Sequence, residues 1–225
     1  MKVVLVSSSE PSKELVEQGI VNAQELVAYC ARVSNPANQT NTLTSEKLIR
    51  YLIKHKHWSP LEMVSACLEI ETTRDIARQI LRHRSFSFQE FSQRYAVADL
   101  GWKLKETRLQ DTKNRQNSIE LGGLTLTEQN LMEQWKVKQE QLIQDAEHAY
   151  DWALENGIAK EQARAVLPEG LTVSRLYMQG TLRSWLHYIE LRSGPETQKE
   201  HRQVAQACAV ALESIFPMIT EFFTK

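Results

Sequence analysis

A chain of 225 residues, 42% of them hydrophobic, can bury one substantial core and fits a single domain better than two. Its 27 Lys plus Arg balance 28 Asp plus Glu, so the net charge of -1 excludes a globally basic nucleic-acid coat and makes any positive patch local. Cys30, Cys67 and Cys208 suit neither a disulfide framework nor a cysteine-based zinc site. Apolar runs short of the roughly 20 residues of a membrane span, and a start at Met1 without a signal-peptide pattern, predict a soluble, cytoplasmic protein, or one of the host cytoplasm for a viral source.

In chain order, Lys2 to Val6 is a short β-branched run and reads as a strand. Apolar residues at three- and four-residue intervals predict helices at 23–33, 45–55 and 73–82. Between the last two, 61–72 begins with alternation and reads as a strand. The stretch 98–126 is polar, carries Lys103, Lys105, Arg108, Lys113 and Arg115, and holds Gly122-Gly123, so a long, mobile insertion is expected. The longest helix should run from Thr127, as its cap, to Glu155, with Leu131, Trp135, Leu142, Ala146, Ala149 and Leu154 on an apolar stripe and Asn156-Gly157 as its stop. A strand over 171–179, a helix over 181–191 ended by Ser193-Gly194-Pro195, and a last helix from about Gln198 complete a mostly helical fold with interspersed strands.

Fixed charge and hydroxyl groups concentrate in residues 82–94. Just upstream, Arg74, Arg78 and Arg82 fall four apart, so one helix face would carry three guanidinium groups, with Gln79 and His83 on the adjoining stripe. Like charges so stacked repel, and an anion among them would relieve the repulsion; guanidinium forks suit phosphate because they are planar and donate two bonds at once.

Arg82-His83-Arg84 followed by Ser87, Ser92 and Arg94 resembles the signature RHRxxSxNxxSxR of the flavin-dependent thymidylate synthases, with Gln89 in place of the Asn. Further blocks are similar to the family's and come in its order: Ala31-Arg32-Val33-Ser34; His57-Trp58-Ser59-Pro60-Leu61-Glu62, with Met63 where many members have a second His; Ala163 to Pro168; and Arg183 to Arg192. The resemblance implies an α+β fold, mostly helical with a small mixed sheet in a single domain. It also implies a homotetramer whose active sites are shared between subunits. The implied reaction methylates dUMP to dTMP, with methylenetetrahydrofolate as carbon donor and FAD, reduced by NADPH, as hydride carrier. No metal is implied.

The family's pattern, carried over residue by residue, gives FAD the residues His57, Ser59, Arg82, His83, Arg84, Glu90, Thr181, Leu182, Arg183 and His187. Glu62 joins His57 and Ser59 on the flavin or folate side. The nucleotide receives Gln79, Ile80, Leu81, Arg82, Glu90, Phe91, Ser92, Gln93, Arg94, Arg164 and Arg192. Glu90, Ser92 and Arg94 would point the same way if their segment is extended. Arg192 is the expected catalytic residue: a guanidinium at the N3 and O2 edge of uracil favours the ionised ring and makes C5 nucleophilic. Ser92 lacks an adjacent base, Glu90 being otherwise occupied, which argues against a covalent serine.

Plainer readings compete with these. An Arg-rich helix face is commonly solvated or salt-bridged, and Arg192 alone would be an ordinary helix-end cation. Trp135, Trp152, Trp185, Leu186 and Ile189 read as core positions. The alternating Arg82, Arg84, Phe86, Phe88, Phe91 and Arg94 could instead form a single-stranded nucleic-acid platform, although the weak overall charge disfavours it.

Overall fold

The computed structural model describes residues 1–222. Strand β1 (Lys2–Ser8) is followed by the short helix α1 (Lys13–Glu17), then α2 (Ala23–Ala31) and α3 (Ser45–Lys54). A 3-10 turn at Ser59–Glu62 leads into β2 (Ser65–Thr73), α4 (Arg74–Ile80) and β3 (Ser87–Glu90). A small hairpin, β4 (Arg108–Gln110) and β5 (Ser118–Glu120), precedes the long α5 (Leu126–Glu155) and the short α6 (Lys160–Ala163). The chain continues through β6 (Val173–Thr181), α7 (Leu182–Ser193) and α8 (Lys199–Leu212).

The main sheet has the order β1-β2-β6-β3, and every pairing in it is antiparallel, so the expected mixed sheet is corrected to an antiparallel one. Strands β2 and β6 pair along their full lengths, from Ser65 with Thr181 to Thr73 with Val173. Their alternation decides which face is buried. Leu68, Ile70, Leu176 and Met178 point into the core, while Glu69, Glu71, Arg175 and Tyr177 form a polar outer face on which Arg175 meets Glu71 at 3.2 Å and the Tyr177 hydroxyl donates to Glu69 at 3.0 Å. Trp185 of α7 lies wholly inside, its indole N–H donating to the Ala66 carbonyl at 3.1 Å. Where α7 crosses β6, the Phe86 ring stacks edge-on to Trp185 at 4.8 Å and occupies the space a side chain on Gly180 would need, which is why a glycine stands there.

This arrangement aims helix ends at one region. Strand β2 runs directly into α4, and the antiparallel β6 runs into α7, whose start is pinned by the Leu182 N–H on the Val64 carbonyl at 2.9 Å. Thr181 caps α7 by accepting from the Ser184 N–H.

Three expectations change on the long helix and the insertion. The cap of helix α5 lies two residues earlier than expected, at Thr125 and not Thr127, in a reciprocal capping box with Glu128. Its stop is as read, with Gly157 at φ +75°. Trp135 and Trp152 are not core residues: they are 44% and 60% exposed. The stretch 98–126 holds β4 and β5, and its first part is tied down, with the Lys103 N–H on the Leu171 carbonyl at 2.8 Å and the Lys105 ammonium on Asp75 at 3.0 Å. No described helix is long and apolar enough to cross a membrane.

Candidate active site

Helix α4 ends at Ile80, so Arg82, His83 and Arg84 lie in the turn beyond it, not on the helix as the spacing predicts. The turn stays wound, with the His83 N–H on the Ile80 carbonyl at 3.1 Å, and this carries His83 toward the end of α7. There the Arg192 Nε–H donates to His83 Nε2 at 2.9 Å, leaving the terminal guanidinium nitrogens without a protein partner among the described residues. Accepting that bond requires an unprotonated Nε2. Burial, and then the Arg192 charge, push the His83 pKa down to about 4, which keeps the ring neutral.

Gln79 stands beside this pair on the last turn of α4. Its amide reaches α8, where Gln79 Oε1 lies 3.2 Å from His201 Nδ1 and Gln79 Nε2 donates to Gln198 Oε1 at 2.8 Å. His201 is completely buried, its other nitrogen 3.2 Å from the Tyr188 hydroxyl. Burial, then Arg192 and His83, push its pKa down to about 3. Sequence reasoning missed Tyr188, Gln198 and His201. For His201 a signal existed: with Val204, Ala205 and Cys208 it occupies one helical stripe, and a histidine on a buried stripe needs polar partners.

A second group gathers around the start of α7. Arg183 pairs with Glu62, and its buried Nε has no partner among the described residues. His187 meets the Trp58 ring edge-on at 4.5 Å, and His57 and Ser59 are exposed nearby in sequence on the Trp58 loop. Leu182 is buried in the core, so only its backbone is available to a ligand.

The third group surrounds Glu90, and here two expectations fail. Arg74 and Arg78 are neutralised within the chain: Arg78 meets Glu90 at 3.1 Å, and Arg74 meets Glu169 at 3.2 Å and Glu90 at 3.8 Å. Glu90 also accepts from the Ser174 hydroxyl at 2.9 Å, so it is occupied as expected, but its two arginines need no external anion. Strand β3 ends at Glu90, and Ser92 to Tyr95 turn, so Glu90, Ser92 and Arg94 do not share one extended face. Buried Gln93 and the half-exposed Arg164 line a crevice of about 470 Å³ beyond Arg78, and Arg94 approaches Glu161 at 3.6 Å. Ile80 is buried and Leu81 half-buried, so Ile80 offers a ligand its backbone alone. The aromatic platform is absent: Phe86 is buried and Phe88 packs partly against the core.

The neutral histidines set a pH dependence of stability. In the unfolded chain each titrates near 6.5, whereas in the fold His83 waits until about pH 4 and His201 until about pH 3. Between these limits the unfolded state binds more protons, so stability rises with pH and is lost as pH falls below about 6.5, by up to about 1.4 kcal/mol per pH unit for each ring. The unfolding temperature should hold near neutrality and drop steeply from pH 6 to 4. His201→Phe should flatten that slope, and a wild-type profile level across the interval would contradict the assignment.

The family profile described as thymidylate synthase complementing protein matches residues 14–218. The chain belongs to the flavin-dependent thymidylate synthase family. It is 47% identical to the probable flavin-dependent thymidylate synthase of Paramecium bursaria Chlorella virus 1, over 98% of each chain. It is 44% identical to the flavin-dependent thymidylate synthase of Synechocystis sp., over 97% of each. Among solved structures, the UMP/dUMP methylase PolB from Streptomyces cacaoi, bound with 5-Br UMP, superposes with a TM-score of 0.80 at 26% identity, covering 99% of this chain and 93% of that one. Within the flavin-dependent thymidylate synthase signature, the one departure, Gln89, falls on an exposed position of β3 opposite Tyr177, where the longer amide leaves the strand pairing intact.

Proposed function

We propose that this chain methylates dUMP to dTMP, taking the carbon from methylenetetrahydrofolate, with FAD reduced by NADPH. The observation that carries the reading is Arg192, held through Nε by a neutral His83 with its terminal nitrogens unengaged among the described residues, inside a family match over residues 14–218. A fixed cation so presented at the N3 and O2 edge of uracil favours the ionised ring and raises electron density at C5. Gln79 orients the same ring from the other side, while Ser92, Gln93, Arg94 and Arg164 serve the sugar and phosphate.

The residues present fit FAD. Arg82 and Arg84 are exposed and without a carboxylate partner among the described residues, and the Arg183 Nε is buried without an acceptor. The two exposed guanidinium groups, and the free Nε–H of an Arg183 otherwise paired with Glu62, suit a pyrophosphate. When bound, the flavin supplies the hydride chemistry. Thr181, Arg183 and His187 line its second edge, with His57, Ser59 and Glu62 on the ring and folate side.

Homotetramer formation is part of the same reading. On α5 the residues Leu131, Trp135, Leu142, Ala146 and Ala153 fall on one stripe, whose later half is covered by the chain itself while Leu131, Trp135 and Leu142 stay 42%, 44% and 49% exposed. A second subunit would complete the stripe, in the manner of an obligate interface. It would also bring the three groups above together from different chains. The 98–126 segment is proposed to move about its tied-down first part, and the cytoplasm is the proposed compartment.

Tritium release from C5-labelled dUMP, with FAD, NADPH and methylenetetrahydrofolate present, tests this. Release should accompany dTMP formation and cease when any of the three is omitted. A chain that binds no flavin and releases no tritium would refute it.

A further inference from the structure

Beyond Gln79 the hydrogen bonds continue to a group that has no freedom of direction. Glu200, on the first turn of α8, is paired with Arg108 of β4 and accepts from Gln198 Nε2 at 3.0 Å. Burial opposes its ionisation, but Arg108, its own backbone N–H and Gln198 together hold it below the usual carboxylate range. A carboxylate only accepts. Gln198 must therefore turn its NH2 to Glu200 and its oxygen to Gln79, and Gln79 must answer with its own NH2, at 2.8 Å. The Gln79 oxygen then faces His201 Nδ1, which has to carry the proton, and His201 Nε2 accepts from the Tyr188 hydroxyl.

Taken singly, each amide and the imidazole could be turned over. In the chain they cannot, because reversing any one sets donor against donor or acceptor against acceptor in a partly buried row of bonds that ends on the wholly buried His201, where an unmet polar group is costly. The Gln79 oxygen is thus pressed against a wholly buried ring. Its NH2 keeps one N–H that no described residue accepts.

We infer that Arg108, Glu200, Gln198, His201 and Tyr188 form a directional hydrogen-bond chain that locks the Gln79 amide with its N–H toward C4 of the base, so that the site takes a pyrimidine with a carbonyl there, uracil, and rejects one with an amino group there, cytosine. The inference rests on the proposed binding of dUMP. The chemistry is asymmetric: an N–H aimed at a carbonyl makes a bond, whereas aimed at an amino group it leaves two donors facing each other. His201 and Glu200 are positioning residues, since they act only through Gln79. The chain also ties base choice to the insertion, because its anchoring cation, Arg108, belongs to β4.

The test is calorimetric titration of the FAD-loaded protein with dUMP and with dCMP. The decisive variant is the double exchange Arg108→Glu with Glu200→Lys, which keeps an ion pair but replaces the terminal acceptor by a donor and so reverses every link. The dUMP preference, taken as the ratio of the two dissociation constants, should fall by at least about tenfold. His201→Phe removes only one of the two constraints on Gln79, the other being Gln198 held by Glu200, and should lower the ratio by less than the charge exchange; should that core variant fail to fold, the charge exchange decides. Variants that weaken dUMP and dCMP equally, leaving the ratio unchanged, would reduce these residues to packing and overturn the inference. A wild-type protein that binds both nucleotides alike would overturn it while leaving dUMP methylation standing, whereas one that binds neither would refute the functional reading itself.

Discussion

Arg192→Ala should lower kcat/KM for dUMP by between about a hundredfold and a thousandfold, while the protein still folds and takes up FAD. A guanidinium aimed at charge that develops in the reacting ring is worth about 3–4 kcal/mol in a site that excludes water. The side chain lies at the end of α7, and its only described polar partner is His83, so truncation removes no structural salt bridge. Arg192→Lys should recover little, because an ammonium cannot hold the His83 bond and present two further donors in one plane. His83 should matter through Arg192: His83→Phe leaves the Nε–H without an acceptor and lets the guanidinium swing, so kcat should fall more than KM rises. Ser92→Ala offers the contrast. Among the described residues the Ser92 hydroxyl meets only the Arg94 N–H, at 3.4 Å, and no base, so its loss should cost less than about a hundredfold and should not abolish turnover. A dead Ser92→Ala beside an Arg192→Ala within tenfold of wild type would reverse the assignment of roles.

What could be read from the sequence was whatever depends on short intervals. The period-2 alternation found β2, the three-four pattern found α2, α3 and α4, the Ser193-Gly194-Pro195 stop marked the end of α7, and the blocks holding His83 and Arg192 marked two residues that the fold brings into contact. Long-range pairing was hidden. Arg74 looked free for an anion because its partner, Glu169, lies 95 residues away, and Gln79 looked complete because His201 lies 122 residues away. Strand β3 is only four residues long, too short for alternation to register, and exists because β6 offers it an edge. Trp135 followed the stripe correctly but on a part of α5 that outruns the body of its own chain, so periodicity identified the apolar face without saying what covers it. The β4–β5 hairpin carries few apolar residues and is held by ions, Arg108 with Glu200 and Lys199 with Glu106 and Glu120, which no hydropathy pattern reports.

Mixing two inactive variants should restore activity to about a quarter of wild type, provided that the two lost residues serve one site from different chains. The fold dictates which pair to mix. Arg192 contacts His83, so the segment containing Arg82 and Arg192 lie together within one chain, whereas Arg94 and Arg164 sit at a separate crevice with Glu161. Arg192→Ala with Arg94→Ala is therefore the informative combination. In a symmetric pair of subunits where each site takes one group from either chain, a mixed pair has one site lacking both arginines and one site lacking neither. Random reassembly makes about half of the pairs mixed, and half of their sites are intact, which gives about one quarter. Arg192→Ala mixed with His83→Phe should not recover, because those two residues touch in the same chain and every site would lack one of them. If exchange is verified by mass and the first mixture stays inactive, the site is complete within a single chain, and the exposed half of the α5 stripe must be covered for reasons other than catalysis.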